Sequence, residues 1–468
     1  MLCFTYLVLV LLAAQALGFD SPAWPLKVSA DGRHLLDQKN QPFLIHGDTA
    51  WSLLVQLSKP DAERYLEDRK RRGFSAVLVN LIEYKFADRP PFNQEMNAPF
   101  LTPGDFSTPN EAYFAHADWV IAKAAEKGIA VFLFPSYFGK PRSGSGWWAE
   151  LNANGAEKSR NYGRYLGSRY RAYANIVWVH GGDYTPAEDA AGMAFALEIL
   201  HGMKERDSSK LHSFHGVRST TALGHRTFAP YLDLDSVYPG DELGSGGTSA
   251  PTSPAQPLTM SLQAYNREGF RPHYLIEARY ESLSGKPTNA GPHASDRPRF
   301  RRQAYWSILA GAAGHFFGNF PVWSFSKGWD GDAGIGSPGN QDMERVWELF
   351  RSRPWHGLIP DQDHTTVTSG YGSFGEPDYV AAGRAGDGSL VMAYVPDSER
   401  QERTLTVDMT RLSGKAEAKW FSPANGKYKD IGVRRNSGSQ RFNVPDDNGT
   451  GAGDWVLVLE TESKKARR

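Results

Sequence analysis

Cysteine is almost missing from this 468-residue chain, with Cys3 the only one. It lies inside Leu7-Val-Leu-Val-Leu-Leu-Ala-Ala14 and its flanks, which together with Ala16-Leu-Gly18 read as a secretory signal peptide with a small-x-small cleavage site. That run is too short to span a bilayer, and no later run approaches the roughly 20 apolar residues a membrane helix needs. Removal of residues 1–18 leaves a chain without cysteine, which excludes disulfides and cysteine catalysis. A soluble, secreted protein is expected, with no membrane partner. An excess of charge is missing too: 52 basic residues balance 52 acidic ones. There is thus no electrostatic case for nucleic acid as a partner.

Cofactor and metal signatures are also lacking. The turn after the first apolar strand, His46-Gly-Asp-Thr-Ala-Trp51, has no G-x-G-x-x-G for a dinucleotide phosphate. No H-E-x-x-H occurs, and His212-x-x-His215 has the wrong spacing for two ligands on one strand face. Asp330-Gly-Asp332-Ala-Gly334 lacks the closing Glu of a calcium loop. No metal or cofactor is expected.

What the chain does have is a regular alternation of elements. Short apolar runs recur at Phe43–Ile45, Ala76–Val79, Ile129–Phe134, Ile176–Val179, Leu211–Phe214, Leu234–Val237, Tyr274–Ile276 and His315–Phe317. Stretches with helical period separate them, one carrying Phe114, Ala117, Ile121 and Ala124 on a single face. Pro60-Asp61 marks one helix start, and Gly73 and Gly128 mark two helix ends. Eight strands alternating with helices over residues 19–360 predict an α/β fold, a closed (β/α)8 TIM barrel, with an open doubly wound sheet as runner-up. Residues 361–463 read differently. Runs such as Leu390–Val395 and Trp455–Leu459, an Asp387-Gly388 hairpin signal and many turns predict a small antiparallel β-sandwich. Residues 464–468 form a basic tail.

In such a barrel, chemistry collects at the C-terminal ends of the strands. That rim would carry His46, Asp48 and Trp51, then Asn80 and Glu83, Ser136 and Tyr137, Asp183, His215 and Arg218, Tyr238, Glu277, and Asn319 and Trp323. Asp183 and Glu277 stand out, because each follows an apolar run directly and burial without a role is costly. Gly181-Gly182 lets the chain turn sharply before Asp183. Glu281 competes with Glu277 through shared strand parity. Two acids from different strands, among 13 Trp and 20 Tyr, suggest glycoside hydrolysis, where one acid protonates the leaving group and the other attacks or activates water. Trp51, Trp147, Trp148 and Trp323 are candidates for stacking on sugar rings.

Four stretches carry a resemblance to a known family: His46-Gly-Asp-Thr-Ala-Trp51, Trp178-Val-His-Gly-Gly-Asp183, Glu277-Ala-Arg-Tyr-Glu281, and Ala313-Gly-His-Phe-Phe-Gly-Asn319 leading to Trp323. The chain resembles the apiosidase-like glycoside hydrolases, family 140 and relatives. Its C-terminal region, with Trp420-Phe-Ser-Pro-Ala-Asn-Gly426, is similar to the β domain often labelled collagen-binding. The resemblance implies that Asp183 is the general acid/base and Glu277 the nucleophile. It departs from the wider class of retaining enzymes in having Gly182-Asp183 where an Asn-Glu pair is usual. It departs from the family signature in having Phe316-Phe317 for Thr-Tyr.

The expected partner is therefore a carbohydrate, bound by His46, Asp48, Trp51, Asn80, Tyr137, Trp147, Trp148, His215, Tyr238, Glu281 and Trp323. Family analogy favours a terminal pentofuranosyl unit such as apiose on plant cell-wall pectin. Retention predicts carboxyl groups about 5–5.5 Å apart. The alternatives are a non-catalytic carbohydrate- or matrix-binding barrel, and a transglycosidase using the same residues. Asn448-Gly-Thr450 is a glycosylation sequon in a eukaryotic host.

Overall fold

Eight parallel strands of one sheet lie on or beside the eight apolar runs: β1 (Ile45–Thr49), β2 (Ala76–Asn80), β3 (Ala130–Phe134), β4 (Ile176–Gly181), β5 (His212–His215), β6 (Asp235–Tyr238), β7 (His273–Leu275) and β8 (Gly314–Phe317), and a short edge strand, Thr220–Thr221, pairs antiparallel with β6. The computed structural model describes residues 21–84, 86–139, 144, 146–184, 190–240, 253–281, 297–397 and 403–461. The signal-peptide and basic-tail assignments fall outside those residues, as does Ser145 of the loop before Trp147. Pairing runs β5-β4-β3-β2-β1-β8-β7-β6, all parallel. The ends of this order meet through Asp233 N–H to the His212 carbonyl at 2.8 Å and Ser213 Oγ to the Leu234 carbonyl at 3.3 Å. The fold is thus a nearly closed TIM barrel rather than an open sheet.

Alternation along each strand decides what faces where. Ile45, Ala76, Leu78, Phe132, Phe134, Val177, Val179, Tyr274, Ile276 and Phe316 fill the barrel interior. Val77, Val79, Val131, Leu133 and Trp178 point outward into a shell shared with the helices. Gly47 is inward-facing, and a Cβ there would lie 2.2 Å from the Phe316 ring, so the layer closes only around glycine. A three-stranded antiparallel sheet, Lys27–Val28, Leu35–Leu36 and Pro42–Phe43, plugs the opposite mouth with Leu26, Leu35 and Phe43.

The longer helices are α1 (Lys59–Arg71), α2 (Glu111–Glu126), α3 (Trp148–Tyr170), α4 (Ala190–Arg206), α5 (Gln256–Asn266), α6 (Arg297–Leu309) and α7 (Pro338–Arg351). Ser58 and Ser337 cap α1 and α7 by accepting from Asp61 N–H and Asn340 N–H, each with proline in the first turn. Gly73 and Gly128 follow α1 and α2 with φ of 80° and 75°, a left-handed exit that favours glycine.

Among the described residues, nine strands follow: β9 (Leu358–Pro360), β10 (Val367–Ser369), β11 (Ala381–Ala385), β12 (Leu390–Val395), β13 (Thr404–Asp408), β14 (Ala416–Phe421), β15 (Tyr428–Arg434), β16 (Ser439–Asn443) and β17 (Trp455–Thr461). They make an antiparallel sandwich of sheets β9-β11-β12-β17-β14-β15 and β10-β13-β16. β12 reads as an unbroken apolar run because both its faces are buried. Val391, Ala393 and Val395 pack inside the sandwich, whereas Leu390, Met392 and Tyr394 pack against α6 and α7 of the barrel. Asn448 lies in this seam, 2% exposed, and donates both to the Asp454 carbonyl and to its carboxylate. The sequon reading is therefore corrected: the amide a glycan would need is buried and already bonded.

Candidate active site

The turn after β4 is built to present one acid. Gly181, Gly182 and Asp183 all have positive φ, at 93°, 113° and 45°. A Cβ on Gly181 would meet the His215 carbonyl at 2.1 Å, and one on Gly182 would meet the Tyr137 ring at 2.5 Å. Only a Gly-Gly pair makes this turn, and it leaves Asp183 in the left-handed region, where a short polar side chain is tolerated at some strain. The loop after β3 locks the turn through Phe138 N–H to the Gly181 carbonyl and Gly139 N–H to that of Gly182.

His215, the last residue of β5, faces inward and is fully buried. Its Nδ1 accepts the Asp183 backbone N–H at 3.4 Å, and its Nε2 lies 2.9 Å from Glu277 Oε2. With Nδ1 accepting, the ring proton sits on Nε2 and is donated to the Glu277 carboxylate. One imidazole thus ties the end of β4 to the end of β7. The Glu277 side chain remains 15% exposed, and Asp183 is half-buried.

Neutral donors surround the two acids. Tyr137 and Tyr238 are held protonated first by burial and then by the charges of Asp183 and Glu277. Tyr280 is held protonated by burial and by Glu277, and its hydroxyl accepts from Trp51 Nε1 at 2.8 Å. Burial works against the charge of Arg218, but Tyr238, Glu277 and Asp183 more than offset it and keep the guanidinium charged. Arg218 donates to the Tyr238 hydroxyl at 3.2 Å. Trp51 packs edge-on against Phe134, Tyr137 and His215, and Phe86 bridges Trp51, Tyr137 and the part-exposed Trp323. Asn80 alternates with the inward Ala76 and Leu78, and neither of its amide atoms has a partner among the described residues. The pocket so formed offers two carboxylates, phenol and amide hydrogen bonds, and aromatic walls.

The structure gathers Trp51, Asn80, Tyr137, Asp183, His215, Tyr238, Glu277 and Trp323 at this mouth. It removes five candidates. His46 and Asp48 occupy the outward positions of β1, since parity brings Ile45 and Gly47 inward. His46 stacks on Phe74 and lies 3.2 Å from His315. Asp48 is sealed against Tyr65 and Arg69 at 2.7 and 3.0 Å. Glu281 falls outside strand parity because β7 ends at Leu275. It accepts from Asn319, Ser337 and Gly339, and is a buried anchor for the start of α7. Trp147 packs with Tyr84, Phe100 and Phe106 in the outer shell and donates to the Ile82 carbonyl, and Trp148 packs against the same shell. Two further rim candidates, Glu83 and Asn319, are likewise tied up, Glu83 by Ser52 and the N–H groups of Tyr84 and Phe86. Tyr280 and Phe86 escaped the sequence reading. Tyr280 follows the strand's end, where alternation no longer tells inside from outside.

Comparison with known proteins agrees with this fold. The family model described as "Apiosidase-like, catalytic domain" matches residues 29–357, and one described as "Putative collagen-binding domain of a collagenase" matches residues 359–460. No curated protein matches the chain. Among solved structures, one titled simply a glycoside hydrolase is 25% identical, with a TM-score of 0.78 over 94% of this chain and 98% of its own. A glycoside hydrolase family 5 structure from Bacteroides vulgatus is 22% identical, with a TM-score of 0.78 over 94% and 93% of the two chains, and shares the fold. A barrel with two carboxylates at its mouth, matched over most of its length, makes this chain a glycoside hydrolase that belongs to the apiosidase-like catalytic domain family.

Proposed function

We propose that the protein is a secreted enzyme that releases a terminal pentofuranosyl unit, apiose-like, from a plant cell-wall polysaccharide such as pectin, with retention of configuration. The observation that carries the catalytic part is the His215 imidazole between the Asp183 turn and Glu277. A ring that donates to Glu277 keeps that carboxylate aimed, as a nucleophile requires. Asp183 sits among the phenols of Tyr137 and Tyr238 and makes no ion pair of its own among the described residues, which suits a group that must both give and take a proton.

In the first step a Glu277 oxygen bonds to the anomeric carbon as the glycosidic bond breaks, and the Asp183 proton goes to the departing oxygen. In the second, Asp183 takes a proton from water, whose oxygen displaces Glu277 and frees the sugar. Tyr137, Tyr238 and Asn80 supply hydrogen bonds to hydroxyls, and Trp51 and Trp323 supply apolar faces. The N-terminal Leu7–Ala14 and Ala16-Leu-Gly18 pattern supports export.

The test is a screen of the purified enzyme on aryl pentofuranosides and pectic oligosaccharides, with NMR of the anomer first released. The same anomer as the substrate is expected. The opposite anomer would overturn the nucleophile role of Glu277, and wild-type rates in Glu277→Gln would overturn the two-carboxylate mechanism. Glycosyl transfer to an added alcohol in place of hydrolysis would mark a transglycosidase.

A further inference from the structure

A second recess, of about 660 Å³, lies where α5 of the barrel meets the loops of the sandwich. Gln263 and Asn266 on α5 face Gln362, His364, Phe374 and Tyr379 across it. Among the described residues, its lining contains no acid, lysine or arginine. Phe374 is 60% exposed, an unusual state for so large an apolar ring, and stands edge-to-face on Tyr379 with centroids 5.3 Å apart. The ring is held in place rather than loose. Its turn is closed by Glu376 N–H to the Ser373 carbonyl, and Ser253 Oγ ties Gly375 to the barrel at 3.1 Å. His364, at φ 51°, stacks on Tyr371 at 3.5 Å. Asn266 and Gln362 exchange amide hydrogen bonds of 2.6 and 3.2 Å, which fixes both amides at the lower end of the recess.

From this combination we infer that the recess is a second binding site for a neutral glycan chain, distinct from the catalytic pocket. An exposed ring presents the face that sugar C–H groups cover. Fixed amides both donate and accept, as vicinal hydroxyls require. An uncharged lining gives nothing to an acidic polymer. Position supplies the purpose. About one turn before the recess, at the start of α5, Gln256 Oε1 accepts from Gly240 N–H at 2.6 Å, two residues beyond Tyr238, and from Ser219 Oγ at 3.2 Å, so α5 leads from the catalytic rim to the recess. A polymer whose terminal sugar lies between Asp183 and Glu277 can lay a neutral stretch down α5. The site is shared by barrel and sandwich, so the sandwich contributes to substrate capture. This proposal rests on the polysaccharide reading of the catalytic pocket.

The experiment is affinity electrophoresis of the full chain as Glu277→Gln, in gels containing arabinan, galactan or xylan, with polygalacturonate as the acidic control. Retardation by at least one neutral polymer is expected. Adding Phe374→Ala or Gln263→Ala should weaken it about five- to tenfold, with the melting temperature unchanged. Absence of retardation on every neutral gel, retardation untouched by both substitutions, or stronger binding to polygalacturonate would each overturn the inference. The background variant is inert, so the result is independent of hydrolysis. Failure of the catalytic reading shows separately, in rates on small aryl glycosides, which Phe374→Ala should leave unchanged.

Discussion

At the barrel mouth, Asp183 and Glu277 are part-exposed and flanked by an imidazole and three protonated phenols. At the seam with the sandwich, Asp342 and Asp454 are wholly buried and face fixed guanidinium groups. Arg301 donates to both oxygens of Asp454 at 2.7 Å and to Asp342 at 2.9 Å, Arg297 adds to Asp342, and Tyr394 adds to Asp454 at 3.0 Å. The contrast separates two uses of a buried acid. A carboxylate bonded on both oxygens inside a sealed seam has no face left for a ligand. One among phenols and an imidazole, with a side open to a ligand and the nearby Arg218 bonded to Tyr238, does. The first kind sets where the sandwich sits, and the second does the chemistry.

Charge-neutral substitutions should split the two sets cleanly. Glu277→Gln is expected to bring turnover to background. Asp183→Asn should lower kcat about 10²–10⁴-fold on natural glycosides, and less on aryl glycosides whose leaving group needs no proton. Both variants should melt at or above the wild-type temperature, since each relieves strain or charge at the mouth. A large fall in melting temperature would show that the mouth acids are structural after all.

The seam should respond in the opposite sense. Arg301→Met leaves buried Asp454 without a cation, while Asp342 keeps Arg297, and should cost about 3–5 kcal/mol in denaturant unfolding. The fraction still folded should keep its kcat on aryl glycosides. If Arg301→Met lowered kcat with unchanged stability, the division drawn between seam and mouth would be wrong.

The difference between the two sets also explains what the sequence disclosed. Strands such as Ala76–Asn80 were legible because parallel strands buried on both faces are apolar throughout. β1 was read two residues early, at Phe43–Ile45, since its own outward positions are His46 and Asp48. Those two look like mouth residues because a polar residue beyond an apolar run resembles a rim residue. In fact the strand continues to Thr49, and both side chains turn toward Phe74 and Arg69. Asp183 was legible through its two glycines, a local signal. The fate of Glu281 was not, for it depends on Ser337 and Gly339, more than fifty residues away. Arg301 with Asp454 is a pairing 153 residues apart that no local pattern announces.

Acid should act on the structural side first. Burial depresses His180 and His273 to about 3, and His225 and His315 to about 4, so all four are neutral in the fold at pH 5. In the unfolded chain they take up protons below about pH 6.5. The unfolded state then binds more protons, so stability falls as pH drops from about 6.5 toward 3. Each histidine adds up to about 1.4 kcal/mol per pH unit between about pH 6.5 and its own folded value, which is about 4 for His225 and His315. His273→Phe should flatten the slope of melting temperature against pH over this range. Glu277→Gln should leave the slope alone. Equal slopes in His273→Phe and wild type would remove this histidine from the account.

The smallest effect should come from Asn80, and it tests the comparison at its finest point. Its amide is buried in the mouth without a partner among the described residues. In a structural amide, truncation would break internal bonds and strand their partners, costing about 1–3 kcal/mol. For an amide kept open to a substrate hydroxyl, truncation strands nothing in the free enzyme. Asn80→Ala should therefore melt within about 1 kcal/mol of wild type, while KM rises about three- to tenfold, the value of one hydrogen bond to the sugar. A destabilised Asn80→Ala with unchanged KM would move Asn80 from the chemical set to the structural one.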